Sequence, residues 1–126
     1  MVILGHGVDL VEVSRIKELL DAHGDRFIGR CFTATEAQYA ATSAVRAQHL
    51  AARFAAKEAV SKALGTGISQ GIMWTDIEVV RLPSGAPQVR LYNRALAVAE
   101  ELGVKEWRLS LSHIKSHAMA SAIAVG

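Results

Sequence analysis

Cysteine is almost absent. Cys31 is the only one, so no disulfide can form within the chain, and between Arg30 and Phe32 it reads as a small buried residue. Proline occurs twice, at Pro83 and Pro87, both in one short stretch. Aromatic residues make up only 6%, so aliphatic and alanine side chains must supply most of a core drawn from 51% hydrophobic residues. No apolar run is long enough for a membrane span. The opening Met-Val-Ile-Leu-Gly lacks a basic region followed by a signal-type apolar stretch, which makes the cytoplasm the expected location. Neither sign of charge dominates: 14 basic residues face 12 acidic ones, a balance that excludes a generic nucleic-acid binder. The 126 residues suit one domain spanning 1–126. A chain of this size keeps a high surface-to-volume ratio, so burying apolar surface between copies is expected.

What is present organises into an α+β order. Val2 to Val8 reads as a buried strand. A helix then runs to about Ala22, with Val13, Ile16, Leu19 and Leu20 on its inner face and His23-Gly24 as its stop. Thr33-Ala34-Thr35-Glu36 has capping-box spacing and opens a short helix. The strongest helix spans Gln48 to Leu64 and stops at Gly65. Ala52, Ala56, Ala59 and Ala63 form a ridge for close packing; Arg53, Lys57, Glu58, Ser61 and Lys62 form the other half. Leu50 and Phe54 lie within that polar arc, so it is not a plain water-facing surface. Gly65-Thr66-Gly67 and Gly71 mark a loop. Thr75–Leu82 and Gln88–Tyr92 read as strands joined by a Pro83–Pro87 hairpin turn. Asn93 is placed to cap a helix ending near Leu102-Gly103. Strands at Trp107–Ser112 and Ala118–Val125 close the chain.

Three constellations carry possible chemistry. Asp9 stands where the first strand meets the first helix; on local sequence it reads as a helix cap, with Glu12 completing a box. Gly7 suits a close approach to the backbone. In Arg53–Lys62, Glu58 and Lys62 share a face at i, i+4 and read first as a surface ion pair. The surrounding cations, Phe54 on the exposed side and the glycine loop form instead the mixture that phosphate ligands favour. The run from Ser14 to Lys62 carries eight Lys/Arg against five Asp/Glu, a mild positive face suited to an acidic partner or phosphates. Ser110-Leu111-Ser112-His113 ends a strand, where His113 can bond a phosphate or ribose, or only backbone. His117 follows in a turn and, with no cysteine partner, makes no zinc site. His6, His23 and His49 carry no assignment.

These pieces, in this order, resemble the holo-acyl-carrier-protein synthase family of 4′-phosphopantetheinyl transferases. The resemblance rests on Gly7-Val8-Asp9 with Arg15, Phe32-Thr33 with Glu36, Arg53-Phe54-Ala55-Ala56-Lys57-Glu58-Ala59 with Lys62 and Gly65-Thr66-Gly67, Asp76-Ile77-Glu78, Gly85-Ala86-Pro87, and Ser110-Leu111-Ser112-His113 with Ala118. It implies the family's fold: an N-terminal strand, helices, a hairpin, a helix and two strands. It implies coenzyme A as substrate, a serine of apo-acyl carrier protein as acceptor, adenosine 3′,5′-bisphosphate as by-product and Mg²⁺ as cofactor. It also implies a homotrimer with sites at subunit boundaries, and no nucleic-acid or membrane partner.

Carried over by residue, Asp9 and Glu58 hold the metal, and Lys62 lies near the pyrophosphate. Asp9, directly or through a metal-bound water, or Glu58 is the base. Arg53 and His113 hold the adenosine-side phosphates, with backbone around Gly65, Thr66 and Gly67 assisting. Gly85 and Pro87 contribute from a neighbouring subunit. Arg15, and more weakly Arg26, Phe27 and Arg30, meet the acidic carrier. Ile114 departs from the family, where a polar residue is common. Two rivals stand beside this reading: a hot-dog-type thioesterase or dehydratase, and a non-catalytic nucleotide-binding module.

Overall fold

A computed structural model describes residues 1–126. The elements run β1 (Ile3–Glu12), α1 (Val13–His23), α2 (Asp25–Cys31), α3 (Ala34–Ala41), α4 (Arg46–Ala63), β2 (Ile77–Arg81), β3 (Pro87–Leu91), α5 (Asn93–Leu102), β4 (Glu106–His113) and β5 (His117–Val125), with a 3₁₀ turn at Trp74–Asp76 before β2. The expected α+β order holds. An antiparallel sheet has the order β1-β5-β4, and β2-β3 form a separate hairpin.

Glycine and alanine explain how α4 sits on the larger sheet. In β5, Ala118, Ala120, Ala122 and Ala124 all point to the buried face. A Cβ on Gly5 would lie 2.0 Å from the Ala63 carbonyl oxygen, and one on Gly7 would lie 1.9 Å from that of Ala59. Backbone therefore meets backbone between β1 and α4. The close approach expected at Gly7 is to this helix. The opposite sheet face, with Val8, Leu10 and Met119, is exposed, and nothing in the chain covers it.

The other flank of α4 is tied down by polar groups. Thr33 and Glu36 form the expected capping box. Glu36 does more: it is 1% exposed, accepts from Val79 N–H at 2.8 Å and pairs with Lys57 at 2.6 Å. Lys57 also donates to the carbonyls of Trp74 and Ile77. Burial pulls its pKa down, and Glu36 opposes that pull. Buried charges persist when paired and bonded in this way.

Several expectations shift. The first strand continues to Glu12, so Asp9 lies within it and is no helix cap; α1 starts at Val13 with no side-chain cap bond. The short helix α2 lacked a legible signal. The polar arc of α4 is split, because Arg53, Lys57 and Ser61 are buried. Phe54 is buried too, stacked on Trp74 at 4.4 Å between ring centroids. Asn93 is the first residue of α5 rather than its cap, and it donates to Asp76 at 3.1 Å. Cys31 is buried as expected, and burial raises its thiol pKa.

Candidate active site

Asp9 sits on the buried-side row of β1, between Gly7 and Val11, and so looks toward α4. Lys62, in the last turn of that helix, bonds Asp9 Oδ1 at 3.1 Å and the Val8 carbonyl at 3.0 Å. Glu58 lies one turn earlier on the same face. Burial raises the Glu58 pKa, the Asp9 charge raises it further, and Lys62 and Arg15 oppose both. The residues expected to work together therefore converge on one place. The pairing differs from the simple helix expectation: Lys62 bridges to Asp9 across the β1–α4 contact, not to Glu58.

Two carboxylates share this cleft with the bonded Lys62, and Arg15 also acts on Glu58. No third carboxylate, histidine or cysteine joins them. Such a donor set fits Mg²⁺, which takes one or two carboxylates and fills its remaining positions with water and phosphate oxygens.

A second cluster lies on the other flank of α4. Arg53 is 2% exposed, its guanidinium carbon lies 4.2 Å from the Tyr39 ring centroid, and its Nε is buried without a partner. Burial lowers its pKa. His49, one turn earlier, has ring centroids of Tyr39 and His113 each 5.6 Å away. Gln48 Oε1 holds His113 Nδ1 at 2.9 Å. Arg81, at the end of β2, lies 5.7 Å from the Tyr39 ring. The structure thus brings Arg53 and His113 together around His49, as their shared assignment requires.

From Arg53 to Lys62 the helix makes about two and a half turns, so the two side chains leave opposite flanks. The carboxylate cleft and the arginine–histidine cluster are separated by the body of α4.

A model of the 4′-phosphopantetheinyl transferase superfamily matches residues 5–122. The chain belongs to that superfamily, among the holo-acyl-carrier-protein synthases. The holo-acyl-carrier-protein synthase of Koribacter versatilis is 46% identical over 121 residues, covering 96% of this chain and 97% of that one. The crystal structure of the synthase from Neisseria meningitidis superposes with a TM-score of 0.89 at 34% identity, covering 99% of this chain and all of the other. A Bacillus anthracis synthase, solved in complex with CoA (3′,5′-ADP), gives a TM-score of 0.79 at 34% identity over 97% of this chain and 96% of its own. Both rival readings fall, since the family is one of transferases.

Other family positions land differently. Gly65, Thr66 and Gly67 bring no free backbone N–H groups: all three already donate to the carbonyls of Lys62 and Ser61. They close a helix C-terminus, whose partial negative charge disfavours phosphate. Phe27 is a core residue, 7% exposed, with its ring edge-on to Phe32 at 5.7 Å. Arg26 and Arg30 are exposed beside it. Together with Leu19, His23 and Trp74 they line a hollow of about 310 Å³. Arg15 is exposed on α1 and also acts on Glu58. Gly85 lies at the exposed hairpin tip with φ 89°. Tyr39, Gln48, His49 and Arg81 were missed. For His49 the signal existed: it stands at i, i+4 from Arg53 on the most specific helix.

Proposed function

We propose that the enzyme transfers the 4′-phosphopantetheine arm of coenzyme A to a serine of an apo-acyl carrier protein, with Mg²⁺, and releases adenosine 3′,5′-bisphosphate. The observation that carries this reading is the convergence of Asp9, Glu58 and Lys62 on one cleft, from a strand and a helix far apart in sequence. Asp9 and Glu58 would hold the ion. When bound, Mg²⁺ would supply neutralisation of the pyrophosphate charge.

The serine oxygen forms a bond to the β-phosphorus, and the bond from that phosphorus to the bridging oxygen breaks. The serine proton leaves toward the carboxylate pair. Lys62, anchored on Val8 O and Asp9, offers positive charge to the departing phosphate. Arg53 and His113 would hold the adenosine-side phosphate. The carrier would approach over Arg15, Arg26 and Arg30, cations that suit an acidic helix.

The opposed flanks of α4 support an assembly. With each cluster supplied by a different copy, one coenzyme A would meet both without passing around the body of α4. The uncovered sheet face, with Leu10 65% exposed and Val8 45% exposed, offers the apolar surface for such packing. A trimer closes this head-to-tail arrangement into a ring. The hairpin carrying Gly85 and Pro87 follows β2, and Arg81 at the end of that strand belongs to the Arg53 side, so the hairpin too would serve a neighbour's cleft.

The test is direct transfer. Purified enzyme incubated with coenzyme A, Mg²⁺ and apo carrier is expected to raise the carrier's mass by one phosphopantetheine, and EDTA to abolish the gain. No gain across a panel of carriers would overturn the reading.

A further inference from the structure

His49 plays no part in the assignments above, yet it sits at the centre of the Arg53 cluster. Its Nδ1 is buried without a hydrogen-bond partner, as is the Nε of Arg53. Buried polar atoms seldom go unpaired, and two in one cluster point to a missing common partner. The guanidinium can only donate, so that partner must accept. Arg53 is a buried cation with no ion pair: Glu36 acts on it from behind but is bonded to Lys57. A buried cation left unpaired is costly unless an anion arrives.

We propose that His49 is a proton-linked ligand of the phosphate subsite: it takes a proton from solvent as a phosphate monoester dianion enters among Arg53, Arg81 and His113, so that the hold on this phosphate tightens as pH falls. The proposal rests on the reading of Arg53 and His113 as phosphate holders.

The groups facing His49 are Tyr39 from α3, Arg53 one turn on in α4, His113 from β4 and Arg81 from β2; Arg46 lies one turn earlier in α4. Every charge acting on it is positive. Burial first, then Arg53, His113 and Arg81, hold its pKa below the ordinary histidine value. The free ring is therefore neutral at pH 7. A dianion reverses the sign of the local field, and the imidazolium then offers both nitrogens as donors. A phosphate with a single negative charge gains less from the proton, and a ligand without that phosphate gains less still.

Calorimetry in two buffers of different ionisation heat measures the proton taken up on binding. At pH 7 the wild type is expected to take up a substantial fraction of a proton with coenzyme A and much less with 3′-dephospho-coenzyme A. Between pH 8 and 6.5 its affinity for coenzyme A is expected to rise roughly three- to tenfold. His49→Phe, which keeps an aromatic ring beside Tyr39 and His113, and His49→Gln are each expected to lose most of the uptake and flatten that rise. Uptake that is absent in the wild type, or unchanged in both variants, overturns the proposal. Equal binding of the two ligands by the wild type, together with unchanged binding by Arg53→Gln, would instead sink the phosphate-subsite reading beneath it.

Discussion

At the scale of single residues, the proposed reaction centre depends on one carboxylate held half out of water. Glu58 has a raised pKa because burial and the Asp9 charge both disfavour its ionised form. It therefore gains its proton at a higher pH than an ordinary glutamate as the solution is acidified, and activity should fall from that higher pH. Glu58→Gln removes the charge at nearly the same size. Turnover is expected to drop at least a hundredfold while thermal melting changes little, read by the mass assay beside calorimetry. A variant with full turnover would take Glu58 out of the reaction. Asp9, Glu58 and Lys62 could be grouped from sequence because ordered motifs fix residue types and spacing, and the fold brings the three together. The sequence could not give the partner of Lys62, since i, i+4 spacing suggests Glu58, whereas the bond made goes to a residue distant in the chain.

At the scale of elements, the tight seat of α4 on β1 sets that geometry. Gly7→Ala puts a methyl group where the Ala59 carbonyl oxygen already lies, so helix and strand must separate. The cost is expected at about 1–3 kcal/mol from denaturant titration, with a larger fractional loss of turnover as Glu58 and Lys62 move away from Asp9. A variant that melts like the wild type would refute the close contact. Elements with local signatures were legible: the Thr33–Glu36 box and the glycine stop after α1 are both in place. The seven-residue α2 was not, because it has no side-chain cap and is too short for periodicity to show. The polar half of α4 was legible as a mixed surface, yet its division was not. Lys57 is buried because Glu36 meets it from another helix, and no pattern within α4 carries that information.

At the scale of the whole molecule, α4 separates a carboxylate flank from an arginine–histidine flank. The proposed ring brings unlike flanks of neighbouring copies together, and mixing variants tests it. Lys62→Ala and Arg53→Gln, each expected to be nearly inactive alone, should recover about a quarter of wild-type activity when co-expressed and assembled together, because a random ring leaves that share of sites with two intact halves. Mixtures no more active than their parts would place each site within one chain. A single 18-residue rod also stands between two clusters. In the proposed ring that rod is a shared wall, with a different coenzyme molecule on each side. One damaged copy would then silence two reaction centres, its own and its neighbour's.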